Sequence, residues 1–221
     1  MSTEYKAVIF DLDGTLLDTL ADIGNSANDV LTTRGHPTHD LEAYRHFIGD
    51  GVATLFERIL PEGLPTPETV AECVSEFAVS YGRRWNENSQ LYPGIAVLLD
   101  ELVRRNVPIA ILSNKPHDFA GVCVSEFLSA WPFDPVLGQR EGIPRKPDPA
   151  GVIEVAKSLK VSPEECVYVG DSSVDMLTAK NSGAFAVGVA WGFRPVEELV
   201  KYGAARILDS PMQLLELLNE Q

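Results

Sequence analysis

The feature that most constrains this chain is a repeated change of texture. Short apolar runs, each ended by a small or acidic residue, alternate with longer stretches of helical periodicity. Runs of this kind are strands buried on both faces of a parallel sheet, because a strand with one wet face alternates apolar and polar residues. Five stand out, at Ala7–Phe10, Val107–Leu112, Pro135–Leu137, Cys166–Val169 and Phe185–Val189, with a weaker sixth at Ala205–Leu208. Between them the spacing predicts helices over Ile95–Arg105, Asp118–Trp131, Ala150–Leu159, Met176–Ser182, Val196–Tyr202 and Met212–Leu218. Gly183 stands where a helix C-cap glycine belongs, and Gly94 follows Pro93 at a helix start. Repetition of strand, helix and strand implies right-handed crossovers. The expected class is therefore α/β: a Rossmann-like open parallel sheet with helices on both faces.

Residues 18–86 break the rhythm, with no β-branched run and four amphipathic patterns at Leu20–Thr33, Leu41–Phe47, Val52–Leu60 and Pro67–Trp85. Val70, Val74, Phe77 and Tyr81 recur at three- and four-residue steps and mark one apolar face. The expected organisation is a core of residues 1–17 and 87–221, interrupted by an inserted all-α domain over residues 18–86. An insert placed there follows the carboxyl end of the first strand, the edge of an open α/β sheet where ligands bind.

Charge narrows the partners. Lys plus Arg number 18 against 32 Asp plus Glu, a formal net charge of −14. That sign repels phosphate backbones and anionic lipid surfaces, so neither nucleic acid nor membrane is an expected partner. A small anionic substrate remains compatible where a few cations and a metal ion gather at one point. Cys73, Cys123 and Cys166 are odd in number and far apart, the pattern of free thiols in a reducing compartment. No apolar stretch reaches the roughly 20 residues of a spanning helix, and the run Ala7–Phe10 is cut short by Asp11 before it could serve as a signal peptide. The expectation is a cytoplasmic protein, a monomer or weak homodimer.

Four polar stations follow the predicted strands. Asp11 and Asp13 come just past the first, with Gly14 letting backbone amides approach an anion and Thr15 adding a hydroxyl. A turn with solvated acids reads the same way locally. An EF-hand loop does not, since it wants ligands at positions 1, 3 and 5 with Gly at 6, between helices. Ser113-Asn114-Lys115 follows the second strand, where a hydroxyl and the next amide can hold an anion, or simply begin a loop. In Arg145-Lys146-Pro147-Asp148-Pro149, two prolines fix the backbone about Lys146 and pre-organise a cation, although most lysines are exposed. Asp171 ends another apolar strand and Asp175 lies four residues on, at a helix start; hard cations such as Mg²⁺ take oxygen ligands of this kind. Asp171 or Ser172 could equally cap that helix. Each later station is modest alone, but together they set Asp, hydroxyl, Lys and Asp at successive strand ends of one sheet.

With those residues in place, the chain resembles the haloacid dehalogenase-like hydrolase superfamily, and within it the phosphoglycolate phosphatase-like branch. The matching pieces are DLDGTLLDT at 11–19, LSNK at 112–115, RKPDP at 145–149 and GDSSVDM at 170–176, supported by IGDG at 48–51, LYPG at 91–94 and VAWGF at 189–193. Ser113 stands where many members carry Thr; both supply a hydroxyl. The resemblance implies that the insert is a helical cap and that Asp11 is a nucleophile forming an aspartyl-phosphate. It implies that Asp13 is the general acid and then base, and that Mg²⁺ is held by the Asp11 carboxylate, the Asp13 backbone carbonyl and the Asp171 carboxylate. Asp175 then acts from behind or through water, and Ser113, the amide of Asn114 and Lys146 bind the phosphoryl oxygens. The implied reaction is Mg²⁺-dependent hydrolysis of a small phosphate ester, 2-phosphoglycolate first.

Other readings stay open at this point: another small phosphate ester, pyrophosphate, a sugar-phosphate mutase, or a phosphoacceptor signalling domain. A receiver domain has its phosphoacceptor after a later strand and no helical insert after the first. A dehalogenase attacks carbon and needs no acid for its leaving group, so Asp13 favours phosphoryl transfer. The loop Gly49-Asp50-Gly51 faces the substrate in similar proteins, or is a glycine turn between helices. Lys115 adds charge near the leaving group or is a solvated surface lysine. His36, His39 and His46 lack the compact spacing of a zinc site. Trp85, Trp131 and Trp191 are expected to pack at element ends, and Cys123 in a core.

Overall fold

The computed structural model describes residues 5–219. In chain order the elements are β1 (Ala7–Phe10), β2 (Leu17–Asp18), α1 (Leu20–Thr33), α2 (Leu41–Phe47), α3 (Val52–Ile59), α4 (Pro67–Arg84) and β3 (Gln90–Leu91). They continue with α5 (Ile95–Arg104), β4 (Ile109–Pro116), α6 (His117–Phe127), β5 (Val136–Gln139), α7 (Ala150–Leu159) and β6 (Cys166–Gly170). The last are α8 (Ser173–Ser182), β7 (Phe185–Val189), α9 (Val196–Tyr202), β8 (Arg206–Leu208) and α10 (Gln213–Asn219). The chain divides into two compact units, one of residues up to Leu17 and from Leu91 onward, the other Asp18–Gln90.

The first unit is a six-stranded sheet in the order β5-β4-β1-β6-β7-β8, parallel throughout. All four residues of β1 are buried, alternate ones facing opposite sides. Ala7 and Ile9 share a core with Ala110, Leu112, Cys166 and Tyr168 of the flanking strands, and with Val152, Val155, Met176 and Leu199 from α7, α8 and α9. Val8, Phe10, Ile111 and Val169 on the other side are buried as well. The fold is thus α/β and Rossmann-like, as the apolar runs require. Cys73, Cys123 and Cys166 are buried and unbridged.

Several element ends shift by one or two residues from the sequence expectation, and three shift further, each with a reason in its hydrogen bonds. β4 runs through Ser113, Asn114 and Lys115 to Pro116 instead of ending at Leu112. These polar residues stay in a buried strand because each finds a polar partner there. Helix α8 begins at Ser173, before the apolar periodicity starts at Met176, because the Asp175 carboxylate accepts hydrogen bonds from the Ser172 N–H (3.0 Å) and Oγ–H (2.6 Å) and closes its first turn. Helix α6 stops at Phe127, and Leu128–Trp131 continue as a turn closed by the Trp131 N–H on the Leu128 carbonyl (3.1 Å).

The second unit contains α1 to α4, with α1 packed on α4. Phe77 packs edge-on to Phe56 and stacks on Tyr81, the apolar face expected of α4. The unit ends at Gln90, past the point where helical periodicity stops at Trp85, because Asn88 and Ser89 are bonded to Asp22. The fully buried Asp22 carboxylate accepts from the Asn88 N–H (3.0 Å) and Nδ2 (2.8 Å), and from the Ser89 N–H (2.8 Å) and Oγ (2.7 Å). His39 is a packing residue, its ring edge-on to Tyr44 and Phe47 and its Nε2 2.9 Å from the Ile59 carbonyl. Among the described residues, no helix is long and apolar enough to cross a membrane.

Candidate active site

The chain runs from β1 out to β4 and β5, then returns to β6 on the opposite flank, so β1 is the switch point of the sheet. Ligands bind outside the carboxyl ends of strands at such a point. Phe10 is level with Ile111 of β4 and Val169 of β6, which puts Asp11, Ser113 and Asp171 at one edge. Lys146 arrives there from the loop between β5 and α7. Asn114 holds that loop: its Oδ1 accepts the Lys146 N–H (2.9 Å) and its Nδ2 donates to the Lys146 carbonyl (3.2 Å).

Asp11, Asp171 and Asp175 each place a carboxylate oxygen within 4.8 Å of the others, all three residues being buried. Lys146 Nζ lies 2.9 Å from Asp11 Oδ1 and 2.7 Å from Asp175 Oδ1. The first contact is an ion pair off hydrogen-bond alignment, and Asp11 Oδ1 is a buried oxygen with no hydrogen-bond partner among the described residues. Burial pushes the Asp11 carboxyl up to about 6, with the Lys146 charge opposing and the Asp175 charge adding to the rise. Burial likewise raises Asp171 well above the carboxylate range; Asp175 and Asp11 push the same way, while the Phe193 N–H and Lys146 pull against them. Burial opposes the charge on Lys146, but Asp11 and Asp175 outweigh it and hold its pKa above the ordinary lysine value. Three carboxylates against one ammonium leave a local excess of two negative charges when all are ionised, the charge a divalent cation would balance. Hard oxygen donors, a buried unsatisfied carboxylate oxygen and that excess fit Mg²⁺.

Several supports were silent in the sequence. Tyr168 of β6 lies beneath Lys146, its ring centroid 5.8 Å from Nζ. Burial keeps its phenol protonated, so its one O–H is shared between the Leu112 carbonyl (3.2 Å) and Asp175 Oδ1 (3.3 Å). Asp171 Oδ2 accepts the Phe193 N–H at 2.7 Å, and its Oδ1 is 3.4 Å from the Thr15 hydroxyl. A methyl group on Gly192 would meet Asp171 Cβ at 2.2 Å and the Gly14 carbonyl at 2.7 Å, so glycine there lets the backbone close over the carboxylate. Gly14 has φ +84, and a methyl on it would strike Asp171 Oδ2 at 2.3 Å. Trp191 ties the two loops by donating from Nε1 to the Thr15 carbonyl (3.0 Å).

Asp13 is not in the carboxylate cluster. Its oxygens are 2.9 and 3.1 Å from Lys115 Nζ, and the lysine side chain is 4% exposed. The solvated alternative for Lys115 is thereby excluded. Strand alternation could have found it, since Ser113 and Lys115 share one face of β4. Ser113 Oγ accepts the Lys115 N–H at 3.3 Å. The Asn114 side chain is committed to the Lys146 loop.

A family model for haloacid dehalogenase-like hydrolases matches residues 8–189. The chain belongs to that family. Among curated relatives, a phosphoglycolate phosphatase of Pseudomonas putida is 32% identical over 199 residues, spanning 87% of this chain and 73% of the relative. A phosphoglycolate phosphatase of Vibrio parahaemolyticus is 29% identical over 220 residues, spanning 97% and 96%. A solved structure from Lactobacillus delbrueckii subsp. bulgaricus superposes with a TM-score of 0.89 at 34% identity, covering 97% of this chain and 98% of the other. A haloacid dehalogenase-like family hydrolase from Streptococcus pneumoniae superposes with a TM-score of 0.87 at 25% identity, covering 98% and 99%. Within the family the chain stands on the phosphoglycolate phosphatase-like branch and is a phosphoric monoester hydrolase.

Proposed function

We propose that this hydrolase cleaves 2-phosphoglycolate to glycolate and phosphate through an aspartyl-phosphate on Asp11, with Mg²⁺ as cofactor. The carrying observation is the clustering of the Asp11, Asp171 and Asp175 carboxylates in a buried site, with Lys146 against Asp11 and Asp175; the names of the relatives supply the substrate. An Asp11 oxygen attacks phosphorus in line, the bond to the leaving oxygen breaks, and Asp13 protonates the departing alkoxide. Asp13 then takes a proton from water, whose oxygen attacks the aspartyl-phosphate and frees phosphate and Asp11. Ser113 Oγ, the Asn114 N–H and Lys146 Nζ hold the phosphoryl oxygens. The Asp11 and Asp171 carboxylates and the Asp13 carbonyl, with Asp175 behind, would hold Mg²⁺, which would supply charge neutralisation for carboxylate attack on a phosphate dianion. The helical unit is proposed as the cap that excludes water and selects the leaving group. The proposed setting is the cytoplasm, in keeping with three unbridged cysteines.

Phosphate release from a panel of small monoesters, with Mg²⁺ and then with EDTA, tests this directly. Metal-dependent release fastest on 2-phosphoglycolate is the expected result; another preferred ester would discard the substrate and keep the mechanism. Asp11→Asn is expected to remove turnover and retain the wild-type circular dichroism spectrum. Steady-state hydrolysis by that variant at near wild-type rate would overturn the nucleophile.

A further inference from the structure

Two ammonium groups divide this site between them. Lys146 serves the nucleophile's side, 2.9 Å from Asp11 and 2.7 Å from Asp175. Lys115 serves Asp13, at 2.9 and 3.1 Å. Both partners of the second pair are largely withdrawn from water, with side-chain exposures of 4% and 12%. Desolvation offsets much of the attraction within a buried pair, so stability by itself is a weak reason to keep a lysine there.

We propose that Lys115 is a specificity-determining residue, which binds a carboxylate carried by the leaving group. The inference rests on the reading of Asp13 as the group that protonates the leaving oxygen. A general acid sits about 3 Å from the oxygen it protonates, and Lys115 Nζ lies one hydrogen bond beyond that acid. In glycolate a single methylene separates the ester oxygen from the carboxylate, so a carboxylate placed by Asp13 comes within reach of the same ammonium. The ammonium has three donors and can serve Asp13 and the substrate together. Lys146, on the other flank, is left to the phosphoryl oxygens common to every phosphate ester. Lys115 is thus the cation that distinguishes one ester from another.

The test compares kcat/KM on 2-phosphoglycolate and on 2-hydroxyethyl phosphate, whose leaving group is uncharged, for the wild type, Lys115→Met and Lys115→Arg. The wild type is expected to favour the carboxylate ester, and Lys115→Met to lose about tenfold to hundredfold more on that ester than on the other, mainly through KM. Lys115→Arg is expected to keep most of the preference, and stands in for the comparison with Lys115→Gln where the Met variant does not fold. Equal loss on both esters would overturn the proposal, leaving Lys115 as a partner of Asp13 only. So would a wild type indifferent to the carboxylate. The same comparison with 3-phosphoglycerate against glycerol 3-phosphate separates the two readings. A carboxylate preference on that pair, lost in Lys115→Met, keeps the role of Lys115 even where 2-phosphoglycolate proves a poor substrate.

Discussion

At the residue scale, Asn114 shows how one side chain can serve a site without facing the substrate. Its amide closes two hydrogen bonds on the backbone of Lys146 and so sets where that buried ammonium stands. Asn114→Ala is expected to lower kcat/KM by about tenfold or more and to cost about 1–3 kcal/mol of stability, since a buried N–H and C=O lose their partners. Steady-state kinetics and urea unfolding check both. Residues of this kind separate what could be read in advance from what could not. Asp11, Asp171, Asp175 and Lys146 were legible only as a set: each alone had a bland reading, but together they put Asp, Lys and Asp at the strand ends of one parallel sheet. Tyr168 was not legible, because inside such a run a tyrosine looks like any other bulky core residue, and only the neighbours of its hydroxyl reveal its use. Lys115 was half legible: its position named two fates, and only Asp13 at 2.9 Å chose between them.

At the scale of elements, β4 and β5 approach α6 so closely that a side chain is excluded. A methyl group on Gly138 of β5 would lie 2.5 Å from the His117 Cα and 2.7 Å from the Lys115 carbonyl, both backbone atoms that cannot swing away. Gly138→Ala is expected to destabilise the protein by about 1–3 kcal/mol, the cost of overpacking, measurable as a lowered Tm. It is also expected to reduce activity, because the displaced backbone carries Lys115. The ends of elements were the least readable part of the sequence. The apolar pattern of β4 stops at Leu112, yet the strand continues to Pro116 because Asn114 finds partners on the Lys146 loop and Lys115 on Asp13. The short strands β2 and β3 carry no pattern of their own: two residues are too few for periodicity to register.

For the whole molecule, the buried carboxylates couple stability to pH and to metal. Asp11 and Asp171 have pKa values raised above those of an unfolded chain, Asp11 to about 6. The folded state therefore binds protons that the unfolded state has released. The Asp11 contribution is full below the unfolded carboxylate range and is lost as pH rises through about 6, and that of Asp171 declines in the same direction. In EDTA, Tm is expected to fall as pH is raised from about 4 to 7, and Asp11→Asn is expected to flatten that slope. Adding Mg²⁺ at neutral pH is expected to raise Tm, by mass action on the folded state alone, and Asp171→Asn to remove most of the gain. A Tm that ignores Mg²⁺ in the wild type would count against this cluster as the metal site.

The sequence by itself determined the class of fold and the identity of the chemical groups. Apolar runs of the right length between helical periods leave few architectures open, and local pattern is all that such an inference requires. Tertiary structure alone decided which groups meet. That Lys146 faces Asp11 and Asp175 while Lys115 faces Asp13 depends on strand order and register, β4-β1-β6, and on hydrogen bonds between residues far apart in the chain. Distances of this kind have no local signature, because the energies that set them arise only when the strands are side by side.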